Sequence, residues 1–304
     1  MAVINTGLTT KGIRGEFLNR LAATPTYYQD LAMRIPSTTG TETYKWLGTV
    51  PAMREWGNGR LAKGLRAESY SVENLKYEAT LEVDRDELAD DQLGQVMIRV
   101  GELAQRAATH KDYLIAQLLI NGATAGYLAY DGLTFFNDAH VSGSSGNQDN
   151  DLTATAAAAA KTSAECKTAL QAAIGAMLAF KDDQGEPMSL GLGGLAVVVP
   201  PSMYFAMLEA VQAAMLSSTT NVIAGIARVI SLPWLTAGTT FYTLKTDGVV
   251  RPFIFQDREP LEFVSQEADS DEGFKREKYL YGVRARYRMT YGYWQYAVRT
   301  VFNN

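Results

Sequence analysis

Apolar and polar residues alternate strictly from Lys76 to Asp84. Tyr77, Ala79, Leu81 and Val83 point one way, and Lys76, Glu78, Thr80, Glu82 and Asp84 the other. That period predicts a half-buried strand. An acidic cluster follows, Asp86, Glu87, Asp90 and Asp91, and the unpaired N–H groups of a helix's first turn favour negative charge. From Leu93 the apolar spacing turns to threes and fours through Val96, Met97, Val100, Leu103, Ala104 and Ala107. It resumes at Leu114 and Leu118 after an interruption at His110-Lys111, and Asn121-Gly122 makes a stop. The pattern predicts one long helix over about 86–121. A second alternating block spans Leu280 to Arg299: Val283, Ala285, Tyr287, Met289, Tyr291 and Tyr293 form one face, while Arg284, Arg286 and Arg288 stand on the other.

Between the two blocks the helical period returns from Thr162 with Cys166, Leu170, Ala173, Ile174, Met177 and Leu178. Gly194 to Val199 is a continuous apolar strand stopped by Pro200-Pro201, with Ser202 placed to cap a helix carrying Met203, Met207, Leu208, Val211 and Met215. Further strands are predicted at Ala227–Leu232, Thr240–Leu244 and Val250–Gln256. Helix, buried strand and helix in succession mean a sheet covered on at least one face. Ser142 to Asp151 has the composition of a flexible linker, and Ala154–Ala160 that of a low-complexity tract.

The first part of the chain is less regular. Residues 1–42 hold a short helix, Lys11 to Leu21, and a Thr- and Pro-rich stretch, which reads as a loose terminus or as an arm lying on something else. Extended runs Thr43–Val50 and Leu65–Val72 flank a glycine-rich basic centre, predicting a long hairpin with a mobile tip. A lone hairpin is marginal in water, so another part of the chain or another chain must cover it.

Taken with Pro233-Trp234-Leu235 and Arg251-Pro252-Phe253-Ile254-Phe255-Gln256, the two alternating blocks resemble the major head subunit of Mu-like phages and prophages, over about Thr43 to Asn304. The resemblance implies an α+β shell-forming subunit with the fold first described for the phage HK97 capsid. It assigns 1–42 as an N-terminal arm embracing neighbouring subunits and 43–75 as the extended hairpin loop, or E-loop, reaching across the adjacent subunit. It assigns 76–160 as the first part of a peripheral domain with its spine helix at about 86–121. Residues 161–250 become an axial domain whose tips meet around the five-fold and six-fold axes, and 251–304 the C-terminal part of the peripheral domain.

The function implied is mechanical. Hexamers and pentamers of the chain close an icosahedral shell around double-stranded DNA, enclosed without sequence-specific contact, in a virion assembled in the bacterial host cytoplasm. Portal, scaffold and decoration proteins are the implied partners. The lack of a long scaffold-like region ahead of the arm points to a separate scaffold protein. A nanocompartment (encapsulin-like) shell with protein cargo shares the architecture but not the Mu-like segments. A small soluble hydrolase built on 161–250 is the remaining reading.

Composition adds bounds. In 304 residues, 47% hydrophobic content supports a real core, and a net charge of −5 gives no electrostatic case for gripping nucleic acid. A wall of that charge suits a container from which a packed polyanion must slide. Cys166 is the single cysteine, which excludes an internal disulfide and a thiolate metal cage within the subunit. The start of the chain has no signal-peptide run and no later segment reaches the length of a membrane span, so the expected place of synthesis and use is the cytosol.

The chemical motifs are weak. His110 and His140 are the only histidines; the first lacks a second ligand at helical spacing and reads as a solvated position. The second has Asp138 close by but no serine in a nucleophile elbow. Gly191-Leu192-Gly193-Gly194 precedes a strand and is a turn, and no GxxxxGK[ST] loop exists, so ATP-driven packaging belongs to another protein. Cys166 lies on its helix's apolar stripe, as a buried thiol would. The acidic run Glu267, Asp269, Asp271 and Glu272 departs from a calcium loop in the placing of Gly273 and Lys278. No catalytic residue, cofactor or metal is expected.

The expected site is instead a set of subunit contacts. Ile13, Phe17, Leu18 and Leu21 are expected to bury the arm against neighbours, and Trp46, Trp56, Arg60, Lys63 and Arg66 to carry the hairpin's contacts. Three guanidinium groups at i, i+2 and i+4 repel one another unless anions lie opposite, and Glu78, Glu82 and Asp84 offer the matching period. Arg284, Arg286 and Arg288 are therefore expected to pair with them, within one sheet or across a subunit boundary, with Glu82 the first partner for Arg286. Contact with the DNA backbone is the rival reading of the arginine face.

Overall fold

The computed structural model describes residues 6–45, 47, 70–89, 94–157, 160–188, 190–216, 218–267 and 269–303. The chain opens with α1 (Thr6–Ala23), α2 (Tyr28–Leu31), β1 (Ala32–Pro36) and β2 (Thr41–Tyr44). It continues through β3 (Tyr70–Glu73), β4 (Leu75–Asp84), α3 (Arg85–Ala89), α4 (Gln95–Asn121) and β5 (Asp151–Thr155). Next come α5 (Ser163–Ala179), β6 (Leu195–Val199), α6 (Tyr204–Gln212), the short strands β7 (Met215–Leu216) and β8 (Thr219–Thr220), β9 (Ala227–Ser231) and β10 (Thr240–Lys245). It closes with β11 (Phe253–Gln266), α7 (Asp271–Arg276), β12 (Lys278–Tyr291) and β13 (Ala297–Asn303).

The alternating blocks meet in a four-stranded sheet of order β1-β11-β12-β4, with Arg284 opposite Glu78 and Val283 opposite Ala79. On β12 the apolar set from Tyr279 to Tyr291 is buried. It packs against the 27-residue α4, whose Val96, Val100, Ala104, Ile115 and Leu119 face inward. The expected single helix over 86–121 is two: α3 ends at Ala89, and α4 starts after Gly94, whose φ of 68° is the left-handed conformation that a side chain disfavours. Asp86 and Glu87 of the acidic cluster stand in the first turn of the short α3, while Asp90 and Asp91 lie outside the described residues.

The five-stranded sheet has order β5-β13-β10-β6-β9. Its β6 is buried at every position, and the helices cover the sheet, α5 over β13 and β10 and α6 over β9. Thr162 caps α5 as a capping box with Glu165, whereas Ser202 sits inside a 3-10 turn, Pro201–Met203, and caps nothing. The expected strand 250–256 starts three residues late, at Phe253, and runs on as β11 to Gln266.

Two boundaries move. β13 belongs to the five-stranded sheet, so 251–304 is not one unit; the chain changes sheets at Gly292, where a Cβ would lie 2.5 Å from the Arg251 carbonyl oxygen. β5 joins the same sheet in parallel with β13, which takes the end of the 76–160 section with it. Nor is 142–151 a loose linker. Ser142, Ser145, Gln148 and Asn150 are buried, and the Asn150 amide donates to the carbonyls of Phe135, Trp294 and Ala297. The side chains of Ser145, Gln148 and Asn150 serve as internal hydrogen-bond partners for the backbone.

Apolar side chains form two clusters. A large one fills the five-stranded sheet and the adjoining end of the four-stranded sheet, and a small one lies at the far end of β11, β12 and β4.

Candidate assembly interface

The arm is built into the subunit. Ile13 and Phe17, one helical turn apart on α1, are fully buried in the small cluster with Val83, Val96, Val100 and Ala104, and the Phe17 ring lies 4.9 Å from that of Phe263. Their apolar surface is already covered within the chain, so the expected burial of these two residues against neighbours is corrected. Leu21 is half-buried and packs on the same cluster, while Leu18, 45% exposed, is left on the outer side. Residues 28–44 are not loose either: β1 pairs in parallel with β11, and β2 pairs antiparallel with β3. Asp112 on α4 accepts the N–H groups of Tyr27 and Tyr28, the latter at 2.7 Å, which fixes the start of α2.

The expected hairpin is present at its base, with Thr41 opposite Glu73 and Tyr44 opposite Tyr70. Trp46, Trp56, Arg60, Lys63 and Arg66 lie outside the described residues. The base rests on the outer face of the four-stranded sheet, where Tyr44 Oη donates to Gln256 at 2.7 Å and the Tyr70 and Thr290 hydroxyls are 2.6 Å apart. Glu42 tightens the preceding turn by accepting from Ser37 Oγ and the Thr38 and Thr39 N–H groups at 2.8–3.0 Å. Those bonds, Ser37's first, lower its pKa from 4.5 to about 2. A depressed carboxylate stabilises the fold above its unfolded pKa and loses that contribution as pH falls toward the folded value. Protection of the Thr38 and Thr39 amides from hydrogen exchange should therefore fall between about pH 4.5 and 2. A Glu42→Gln variant should lack that pH dependence; a flat profile in the unmodified protein would contradict the assignment.

The arginine face does find carboxylates, mostly on the other neighbour strand. Arg284 and Arg286 reach Glu259 of β11 at 3.0 and 3.6 Å. Glu78 stands opposite Arg284, but Arg286 faces Lys76, Glu82 faces Leu280, and Asp84 faces Lys278. Glu82 instead pairs with Lys278, so the expected Arg286–Glu82 pair is corrected. Bulges on either side of Glu259 shift the register of β11 there. Arg288 stands opposite Gln256. Reversing Glu259 to Lys should cost about 1 kcal/mol in urea unfolding, the scale of a partly exposed pair, and Arg284→Glu in the same chain should recover part of it. Additive losses would exclude the pairing.

The chemical residues are structural in their surroundings. His140 is buried, with Nδ1 2.6 Å from Asp131 rather than Asp138, and its ring stacks on Trp294 at 4.1 Å. His110 is not a solvated position: its Nδ1 is 2.7 Å from Tyr287 Oη, and its ring meets Tyr77 edge-on at 4.6 Å. Burial, then the Lys111 charge, lowers its pKa. Cys166 is buried as expected, and burial pushes its thiol up to about 11. The acidic run opens α7, where Ser270 Oγ accepts the Gly273 N–H. Among the described residues no group of three or more such side chains is placed to hold a metal, and no helix is long and apolar enough to cross a membrane.

Phe205 is 78% exposed, with Met215 and Val222 exposed nearby in the chain, around α6 and the β7–β8 hairpin. Phe205 lies off the apolar stripe of a short helix, and that displacement is the only signal of it in the sequence.

Two sheets joined by a change of strand, a long helix across the first and a hairpin base on its outer face make up the HK97-type capsid fold. The procapsid subunit of bacteriophage JBD30 shares it with a TM-score of 0.60 and 24% identity, over 100% of this chain and 77% of that one. The sequence goes further. Mu-like prophage major head subunit gpT matches at residues 7–165, 155–235 and 236–301, and the chain belongs to that family. It is 26% identical to the major capsid protein of Escherichia phage Mu over 94% of this chain and 70% of that protein. It is also 32% identical to the Mu-like prophage FluMu major head subunit of Haemophilus influenzae, over 43% of this chain and 42% of that protein. The chain is a phage major capsid protein, a component of the head that assembles with copies of itself.

Proposed function

We propose that copies of this chain join head to tail, one surface of each meeting a different surface of the next, and close an icosahedral shell of hexamers and pentamers around double-stranded DNA. The carrying observation is the exposure of large apolar side chains on a subunit whose interior is otherwise well filled: Phe205, Met215 and Val222 on the five-stranded unit and Leu18 on α1. Phe205, Met215 and Val222 come from one stretch of chain, α6 to the segment after β8, and we assign that stretch to the contact. The units around the two sheets act as axial and peripheral domains, with residues 43–75 crossing the adjacent copy. The chain acts mechanically and catalyses nothing. Portal, scaffold and decoration proteins complete a head assembled in the host cytoplasm.

The arginine row supports ion pairing within the sheet over contact with DNA, because Glu259 and Glu78 flank it. The DNA then meets a wall of mildly acidic net charge. Nuclease-protected nucleic acid in native particles tests the reading. Particles should hold protected double-stranded DNA; particles filled with protein cargo and free of DNA would establish the nanocompartment alternative.

A further inference from the structure

Two cations share one cleft without a carboxylate of their own. Lys111 Nζ lies 4.5 Å from the centroid of the Tyr28 ring and 4.7 Å from that of Phe255, and donates to Tyr28 Oη at 3.2 Å. Arg251 commits Nη1 to the main-chain carbonyls of Gln29 and Ala32. Both side chains are half-buried, and among the described residues neither joins an ion pair. The carboxylate next to Lys111 in sequence, Asp112, is occupied by the Tyr27 and Tyr28 N–H groups. Arg34 and the one carboxylate among the lining residues, Asp257, pair with each other at 2.7 Å, which leaves Lys111 and Arg251 as the two cations over. The cleft, about 710 Å³, opens between α2, β1 and the turn after β10, and Val249 on its lip is 97% exposed.

Partly desolvated cations are stabilised by an anion, and aromatic rings supply only part of that. We propose that the cleft receives a carboxylate from a second copy of this chain, with Lys111 and Arg251 as its partners. The proposal rests on self-assembly. Charge complementarity identifies the occupant: the chain carries 33 acidic against 28 basic side chains, and here the local balance is reversed. Double-stranded DNA is gripped by open rows of cations. Two cations recessed beside aromatic rings, behind an apolar lip, fit one projecting side chain and the apolar residues around it.

Zero-length carbodiimide coupling reads such a contact in the unmodified protein. Shells grown from a mixture of light- and heavy-isotope subunits are coupled, digested and analysed by mass spectrometry. Lys111 should be joined to an Asp or Glu peptide in mixed-isotope pairs, and Lys111→Arg should assemble normally while losing that product. Lys111→Glu should lower shell yield at least tenfold. Coupling of Lys111 only within its own copy, or only to another protein, or no coupling in complete shells, would overturn the proposal. So would normal shell yield from Lys111→Glu, including the case in which those shells fail only to retain DNA.

Discussion

Truncating Phe17 to alanine will destabilise the free subunit by about 3–5 kcal/mol, the cost of removing a fully buried aromatic ring from a packed core. The size follows from where the ring sits. Phe17 and Ile13 fill the small cluster at the far end of the four-stranded sheet with Val83, Val96, Val100, Ala104, Phe263, Tyr279, Tyr281 and Val283, and half-buried Leu21, Leu81 and Leu103 pack around it. Removing the ring leaves a cavity that the surrounding side chains fill only in part. Deleting residues 1–20 removes both side chains and should unfold that end of the sheet, instead of leaving a folded subunit that merely assembles poorly. Urea unfolding of Phe17→Ala decides the matter. A loss below about 1 kcal/mol together with failed assembly would return Phe17 to a role between subunits.

Replacing His140 with alanine is expected to cost a similar amount, about 3–5 kcal/mol, because it strands the buried Asp131 carboxylate. Asp131 would keep the Leu133 N–H at 3.2 Å but lose its 2.6 Å bond to the ring. The stack on Trp294 would go as well. His140 belongs to the segment between α4 and β5, and Trp294 to the turn between β12 and β13, so the pair fastens the crossing from one sheet to the other. Removing both His140 and Asp131 should cost less than the sum of the single losses. Strict additivity in denaturant unfolding would show that the two side chains do not act together.

The sequence displayed those parts of the fold in which one period runs uninterrupted. Tyr77 to Val83 and Val283 to Tyr291 alternate without a break, and they became neighbouring strands with the expected faces. The apolar run at Leu195–Val199 likewise became a central, fully buried strand. Breaks that depend on one backbone angle were hidden. Gly94 separates α3 from α4 inside a pattern that remains helical on both sides, and Gly292 sends the chain to a second sheet while the alternation continues past it.

The contacts were less legible than the strands because they depend on register and distance along the chain. Glu259 takes the arginines through bulges in β11, and no spacing rule places a carboxylate across two bulges. His140 meets Asp131 nine positions away in a segment without a regular period, where nearness in sequence favoured Asp138. In α1 the signal was present, since Ile13 and Phe17 stand one helical turn apart, but an apolar face does not say whether its own chain or another covers it.

Cryo-electron microscopy of native particles, at a resolution that traces the chain, tests most directly whether this subunit forms a closed shell. The reconstruction should show rings of five and six copies related head to tail, with Phe205, Met215 and Val222 buried between neighbours and α1 still held on α4 of its own copy. Native protein found only as monomers or small discrete oligomers, with those apolar residues open to solvent, would contradict it.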